Sequence, residues 1–209
     1  EHEGLPNLAQ LVAVLLSEEH SLRRKAGGTD LADVVISVLQ EVSDDSQGSS
    51  VPRAETSLPK WISACLLILD RLAKPLPQKE SNSIAKEADE AGSVVGSSME
   101  TSLTDVQQER ALDICLSLLK RLGSVEPTKE EESNLANISQ SVLQLTAQLT
   151  CSHSLALKFT SNGVLTLLFD VPQHCLYSGY SAHLALILRH ILEDPVTLQT
   201  AMEAEIRNT

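Results

Sequence analysis

Apolar residues in this chain recur at three- and four-residue intervals in one segment after another, and that rhythm gathers them on one side of an α-helix. After Thr104 it reads Val106, Leu112, Cys115, Leu116, Leu119 and Leu122; after Thr128 it reads Leu135, Ile138, Val142, Leu145 and Leu149. A first helix is expected from about Pro6 to His20, with Leu8, Leu11, Val12, Leu15 and Leu16 inward. A second follows Thr29 or Asp30 and carries Leu31, Val34, Val35, Val38, Leu39 and Val42. Its β-branched residues would suit a strand, but Asp33, Ser37 and Glu41 keep a four-residue spacing that favours helix. From Pro59 to Lys74 the stripe is Trp61, Cys65, Ile68 or Leu69, and Leu72. Shorter helices are expected at Ser152–Phe159 and Val164–Phe169. Another covers Tyr180–Leu192 and carries Ala182, Leu186, Ile187 and His190, and a last one follows Asp194-Pro195, with Leu198, Met202 and Ile206 on its inner side.

Punctuation supports these limits. Gly27-Gly28 breaks the chain, residues 43–57 read as a loop, and Pro75 and Pro77 end a helix. Pro59 suits a first helical turn, where its missing N–H is not needed. Thr104 with Gln107 and Thr128 with Glu131 have the capping-box spacing, and Glu130–Glu132 place negative charge in a first turn. Asn162-Gly163 suits a left-handed helix stop, and Pro172–Gly179 a turn-rich connection. Residues 76–103 combine Pro, Ser, Gly and alternating charge with few bulky apolar groups; a disordered linker is expected, with at most a transient helix near Ile84–Ala91.

The expected fold is therefore all-α: an armadillo- or HEAT-like α-solenoid of roughly eight or nine helices with a long flexible internal linker. Helical repeats over 1–75 precede the acidic, Ser-rich linker over 76–103, and armadillo-like repeats fill 104–209. Thirty-five leucines and only 2% aromatics mean an aliphatic core, and leave little for a carbohydrate cleft or an aromatic nucleic-acid platform. A net charge of −12, with Arg23-Arg24-Lys25 as the longest basic run, argues against binding nucleic acid or acidic membranes. The most apolar run, Ile62–Leu69, is too short to span a bilayer. A start at Glu1 rather than Met reads as a segment of something longer.

The segment Ser152–Phe169 resembles an armadillo repeat, with Ala156 and Phe159 closing one helix, Gly163 at the corner, and Leu165, Leu167 and Leu168 on the next. Ser178-Gly179, Ile187 through Pro195, and Thr197 through Arg207 resemble the armadillo-like region of the giant HECT-type E3 ubiquitin ligases of the plant and yeast Tom1 type. Leu58-Pro59-Lys60-Trp61 and the Cys65–Leu72 run look like the same family. The similarity covers roughly 1–75 and 105–209. The resemblance implies a long chain whose helical repeats form a curved scaffold. Its remote C-terminal HECT domain would take ubiquitin from an E2 as a cysteine thioester and pass it to a substrate lysine. This segment would then be a non-catalytic scaffold that holds protein substrates, with the ubiquitin-loaded E2 met only through the HECT domain. The alternative is an armadillo or HEAT adaptor unrelated to ubiquitin transfer.

No catalytic residue, cofactor or metal is expected. Cys151-x-His153 and His174-Cys175 lack the C-x2-C spacing of a zinc site, and neither supplies the base and lowered pKa of a thiol nucleophile. Cys65 and Cys115 lie in apolar runs as small hydrophobes, and four scattered cysteines suit a reducing compartment, the cytoplasm or nucleus. His190 is expected to be packed with its ring satisfied. Trp61, the only Trp, is the single candidate partner contact, although its spacing also suits the core. Asp89, Glu90 and Glu130–Glu132 read as solvated helix ends, and Leu135-Ala136 breaks the order of a ubiquitin-interacting motif. Ser93–Ser102 is expected to accept phosphate.

Overall fold

The structure is a computed structural model that describes residues 4–44, 58–76, 101–125, 127–129, 131–161, 163–193 and 195–208. Among them the chain forms ten α-helices and one 3-10 turn, with no strand. They are α1 (Gly4–Glu18), α2 (His20–Gly27), α3 (Leu31–Asp44), α4 (Trp61–Ala73), α5 (Asp105–Leu122), α6 (Glu132–Leu149), α7 (His153–Ser161), α8 (Val164–Phe169), the turn Gln173–Cys175, α9 (Tyr180–Glu193) and α10 (Pro195–Asn208).

Two rows of helices lie side by side. One row runs α1, α4, α6, α9, each rung packed on the next; the other runs α3, α5, then α7 and α8. The rows meet through α3 on α4 and α5 on α6, and α10 closes against α7 and α9. The helices before and after the 76–103 segment thus stack directly on one another, sharing one core. Fully buried Leu66, Leu69 and Leu72 of α4 join Leu112, Leu118 and Leu122 of α5 and Leu135, Val142 and Leu145 of α6. This is the all-α, solenoid-like stack that the periodicity implies.

The Thr104 capping box forms as the spacing predicts, whereas at Thr128 only the Glu131 half does: α6 is capped by Glu131 with no side-chain cap bond. Thr104 and Gln107 exchange both bonds at the start of α5, while Thr128 N–H and Oγ1 donate to Glu131 Oε2 at 3.0 and 2.9 Å just before α6. Gly163 takes φ +63°, the left-handed corner between α7 and α8, with Phe159 and Ala156 buried behind it. Asn162 and Asp194 lie outside the described residues, as do 45–57 and 77–100, with the segment of the expected transient helix and most of the serines expected to accept phosphate. The end of the expected linker is part of the fold: Ser102 N–H donates to the Leu72 carbonyl at 3.1 Å, and Leu103 is buried.

Three expectations need correction. Helix α2 stands between the two predicted N-terminal helices; its only apolar contacts with the core are Leu22 and Ala26, and buried Arg23 reaches His20 Nδ1 at 2.8 Å and the Arg71 carbonyl at 3.5 Å. On α1 the side against α4 is Ala9, Ala13 and Leu16, while Leu8, Leu11 and Leu15 face outward. On α10 Met202 and Ile206 are exposed rather than inward, and on α9 Leu186 is exposed beside fully buried Ile187. In each case the helix lies at a flank of the stack. A stripe identifies which side is greasy; only a neighbour on that side buries it.

Candidate functional site

The polar residues of α6 repeat with the same helical rhythm as its leucines, one side further round: Ser133, Asn137, Gln140, Ser141 and Gln144. The leucine side lies in the core, so this polar side is presented along the α1–α4–α6 row. There it forms one wall of a groove of about 520 Å³. Pro6 and Gln10 of α1 supply a rim, and Lys60, Ser63, Ala64 and Leu67, at the start of and along α4, supply the floor.

The groove is held from below. Asn134, almost fully buried, donates from Nδ2 to the Leu58 carbonyl at 2.6 Å and ties the approach to α4 onto α6. Gln144 donates from Nε2 to Asp70 Oδ2 at 2.7 Å. Asp70 is itself fully buried, and the same oxygen receives Lys74 at 3.2 Å and Arg71 at 3.5 Å. A buried carboxylate with two cations and an amide on one oxygen fixes α4 and α6 in register.

The electrostatic character is unusual for this molecule. Among the described residues no acidic residue lines the groove and Lys60 is its single charge, in a chain with 28 acidic and 16 basic residues. Carboxamides and hydroxyls dominate. A carboxamide both donates and accepts, as a peptide group does, so such a surface can satisfy a polypeptide backbone without selecting a charge. Bulky apolar residues are scarce apart from Leu67, so the groove is not built to enclose a small apolar ligand.

Trp61 begins α4 beside Lys60 and is partly buried, its ring packed against the core; it does not line the groove. The cysteine and histidine pairs do not converge. Cys175 is buried with its Sγ 3.8 Å from the Leu122 carbonyl, whereas Cys151 is exposed at the α6–α7 junction. Cys151 instead meets His190 of α9, with Sγ 3.7 Å from Nε2, and His190 Nδ1 lies 3.0 Å from Thr150 Oγ1. Burial raises the Cys151 thiol pKa above its ordinary value, aided by Glu193. Burial lowers that of His190, against the pull of Glu193. Both shifts favour the neutral forms, the opposite of a thiolate–imidazolium nucleophile. Among the described residues no group of three or more His, Cys, Asp or Glu is placed to hold a metal, and no helix is long and apolar enough to cross a membrane. Sequence reading missed both the groove and the Cys151–His190 meeting. The first was signalled by the polar rhythm of α6; the second joins residues 39 positions apart and left no local signal.

Comparison with known proteins gives the family. The chain is 31% identical over 99% of its length to the E3 ubiquitin-protein ligase UPL1 of Arabidopsis thaliana, and 32% identical over 99% to UPL2 of the same plant. The chain is a region of the giant HECT-type E3 ubiquitin ligase kind. As a ligase region it is small: it spans 6% of the length of either plant relative. A TOM1-like E3 ubiquitin-protein ligase of Neurospora crassa is 28% identical over 96% of the chain, which covers 5% of that protein. No protein-family model and no solved structure matches the region.

Proposed function

We propose that this segment is a non-catalytic scaffold and protein-binding element of a HECT-type E3 ubiquitin ligase. The carrying observation is the carboxamide-lined groove along α1, α4 and α6, to which the described residues contribute no acid, braced by buried polar bonds. The groove holds a stretch of substrate polypeptide, with Lys60 selecting an acidic side chain beside it. Trp61, one residue on, offers its partly exposed edge as a further contact. The stack fixes the distance from this surface to a remote HECT domain, which accepts ubiquitin from an E2 and transfers it to substrate lysines. Holding the two reactants together raises their effective concentration at the thioester. Buried thiols at Cys65, Cys115 and Cys175 suit the reducing cytoplasm or nucleus, where we place the protein.

The test separates holding from chemistry. In the full-length ligase, Lys60→Glu combined with Asn137→Ala and Gln140→Ala is expected to leave E2-to-ligase thioester formation unchanged. Substrate ubiquitination is expected to slow by about tenfold, the loss of a few interface contacts. Slower thioester formation would assign the segment to catalysis. Unchanged modification of every substrate would remove the groove from substrate binding.

A further inference from the structure

Helix α1 is greasy on two sides, and among the described residues only one of them packs against another helix of the row. At about 100° per residue, Ala9, Ala13 and Leu16 cluster on the side that meets α4. Leu8, Leu11 and Leu15 form a second stripe roughly 140° further round the helix. They are 59%, 55% and 47% exposed, and Val14 beside them is 51% exposed. A helix apolar on opposite sides is the pattern of an inner rung. α4 shows the completed case: it lies between α1 and α6 and buries both of its sides.

We propose that the Leu8–Leu11–Leu15 stripe is covered, in the intact protein, by an amphipathic helix from the flanking chain that continues the α1–α4–α6–α9 row. Three observations choose this occupant. The stripe lies on the outer side of an established helix-on-helix row, so the next rung meets it as α1 meets α4. The relatives carry this region as 6% of their length, which leaves ample chain to supply a rung. The charge is one-sided: from Gly4 to Glu19 there is no Lys or Arg, and Glu18 and Glu19 are exposed at the C-terminal end of α1. The covering helix therefore has an apolar stripe and a basic end opposite Glu18 and Glu19.

The test uses the full-length ligase. Maleimide labelling of Leu11→Cys, followed by peptide mass, is compared with Ser21→Cys, an exposed position on the neighbouring α2. Labelling at position 11 is expected to be at least about tenfold slower in the native protein and equal after unfolding in urea. Equal native rates would overturn the proposal. A photo-crosslinking residue at position 8 or 11 identifies the cover. A crosslink within the same chain, to a peptide with helical apolar spacing and a nearby Lys or Arg, is the expected product. A crosslink between differently isotope-labelled copies, or only to another protein, would overturn it. Leu15→Arg in the Leu11→Cys background adds a second readout: slow labelling at position 11 that persists despite this charge would also count against a packed apolar seam.

Discussion

Helices α1 and α4 are almost equally apolar, yet they bury opposite fractions of what they carry. On α4 Ile62, Leu66, Leu69 and Leu72 are all fully buried; on α1 Leu8, Leu11 and Leu15 are about half exposed and the buried positions are mostly alanines. Composition and period do not distinguish the two. The number of neighbours does: α4 has α1 on one side and α6 on the other, with α3 in the second row, whereas α1 has α4 and the short α2. In a stacked fold a helix contributes stability through its interfaces, so position in the row outweighs sequence.

The largest effect should follow from truncating the same side chain in the two places. Leu69→Ala is expected to lower the unfolding free energy by about 3 kcal/mol, combining lost transfer energy with a cavity that rigid neighbours cannot close. Leu11→Ala should cost less than about 1 kcal/mol in this segment. Urea unfolding followed by the fluorescence of Trp61, the only Trp, reads both. Equal losses would mean that α1 is covered on its outer side within this segment, contrary to its exposure.

Polar anchors should follow the same gradient at smaller size. Asn134→Ala leaves the buried Leu58 carbonyl without its 2.6 Å donor and is expected to cost about 2 kcal/mol. Gln199→Ala removes an exposed bond to Glu203 on α10 and should cost less than about 0.5 kcal/mol. If Asn134→Ala proves as mild as Gln199→Ala, the link between α4 and α6 does not depend on that bond.

What could be read from the residues follows the same division. Helix positions, the Thr104 capping box and the Gly163 corner were legible because each rests on contacts within a few residues. The inward side of α4 and α6 was legible because neighbours on both sides bury whatever is apolar. Leu8, Met202 and Ile206 were misassigned because nothing in a stripe says whether a partner stands beside it. Helix α2 was invisible because it depends on Arg23 reaching α4 and on residue 102, which lies 79 positions away in sequence. The groove was hidden for a related reason: a polar stripe ordinarily means solvent, and only the rims from α1 and α4 turn it into a site.

Glycines at the α2 boundary sharpen the point. A Cβ on Gly27 would lie 2.8 Å from Ser102 Cβ and 3.0 Å from its carbonyl oxygen, so backbone must move. A Cβ on Gly28 would lie 3.5 Å from the Lys25 carbonyl oxygen, an ordinary contact. Gly27→Ala is therefore expected to destabilise by about 1 kcal/mol despite the better helix propensity of Ala. Gly28→Ala should be neutral or stabilise by about 0.5 kcal/mol. Melting temperatures that fall equally for both would deny the close approach of α2 to residue 102.

The smallest expected effect concerns alkaline pH and again contrasts the middle with a junction. Burial pushes the Cys115 thiol from an ordinary 9.0 to about 12. The folded thiol therefore holds its proton while the unfolded one loses it. The stabilisation is complete below pH 9 and is drawn down as pH rises from 9 toward 12. At pH 9.0 the unfolded thiol is half ionised, which favours unfolding by only about 0.4 kcal/mol. Cys115→Ala should remove that increment from the difference between urea titrations at pH 7 and pH 9, whatever its cavity costs at both. Alkylation checks the same contrast: iodoacetamide at pH 8 should modify exposed Cys151 well before buried Cys115, whose labelling should wait for unfolding. Prompt native-state labelling of Cys115 would show that the core between α5 and α6 opens far more readily than its packing implies, and would erase the difference between the middle of the row and its ends.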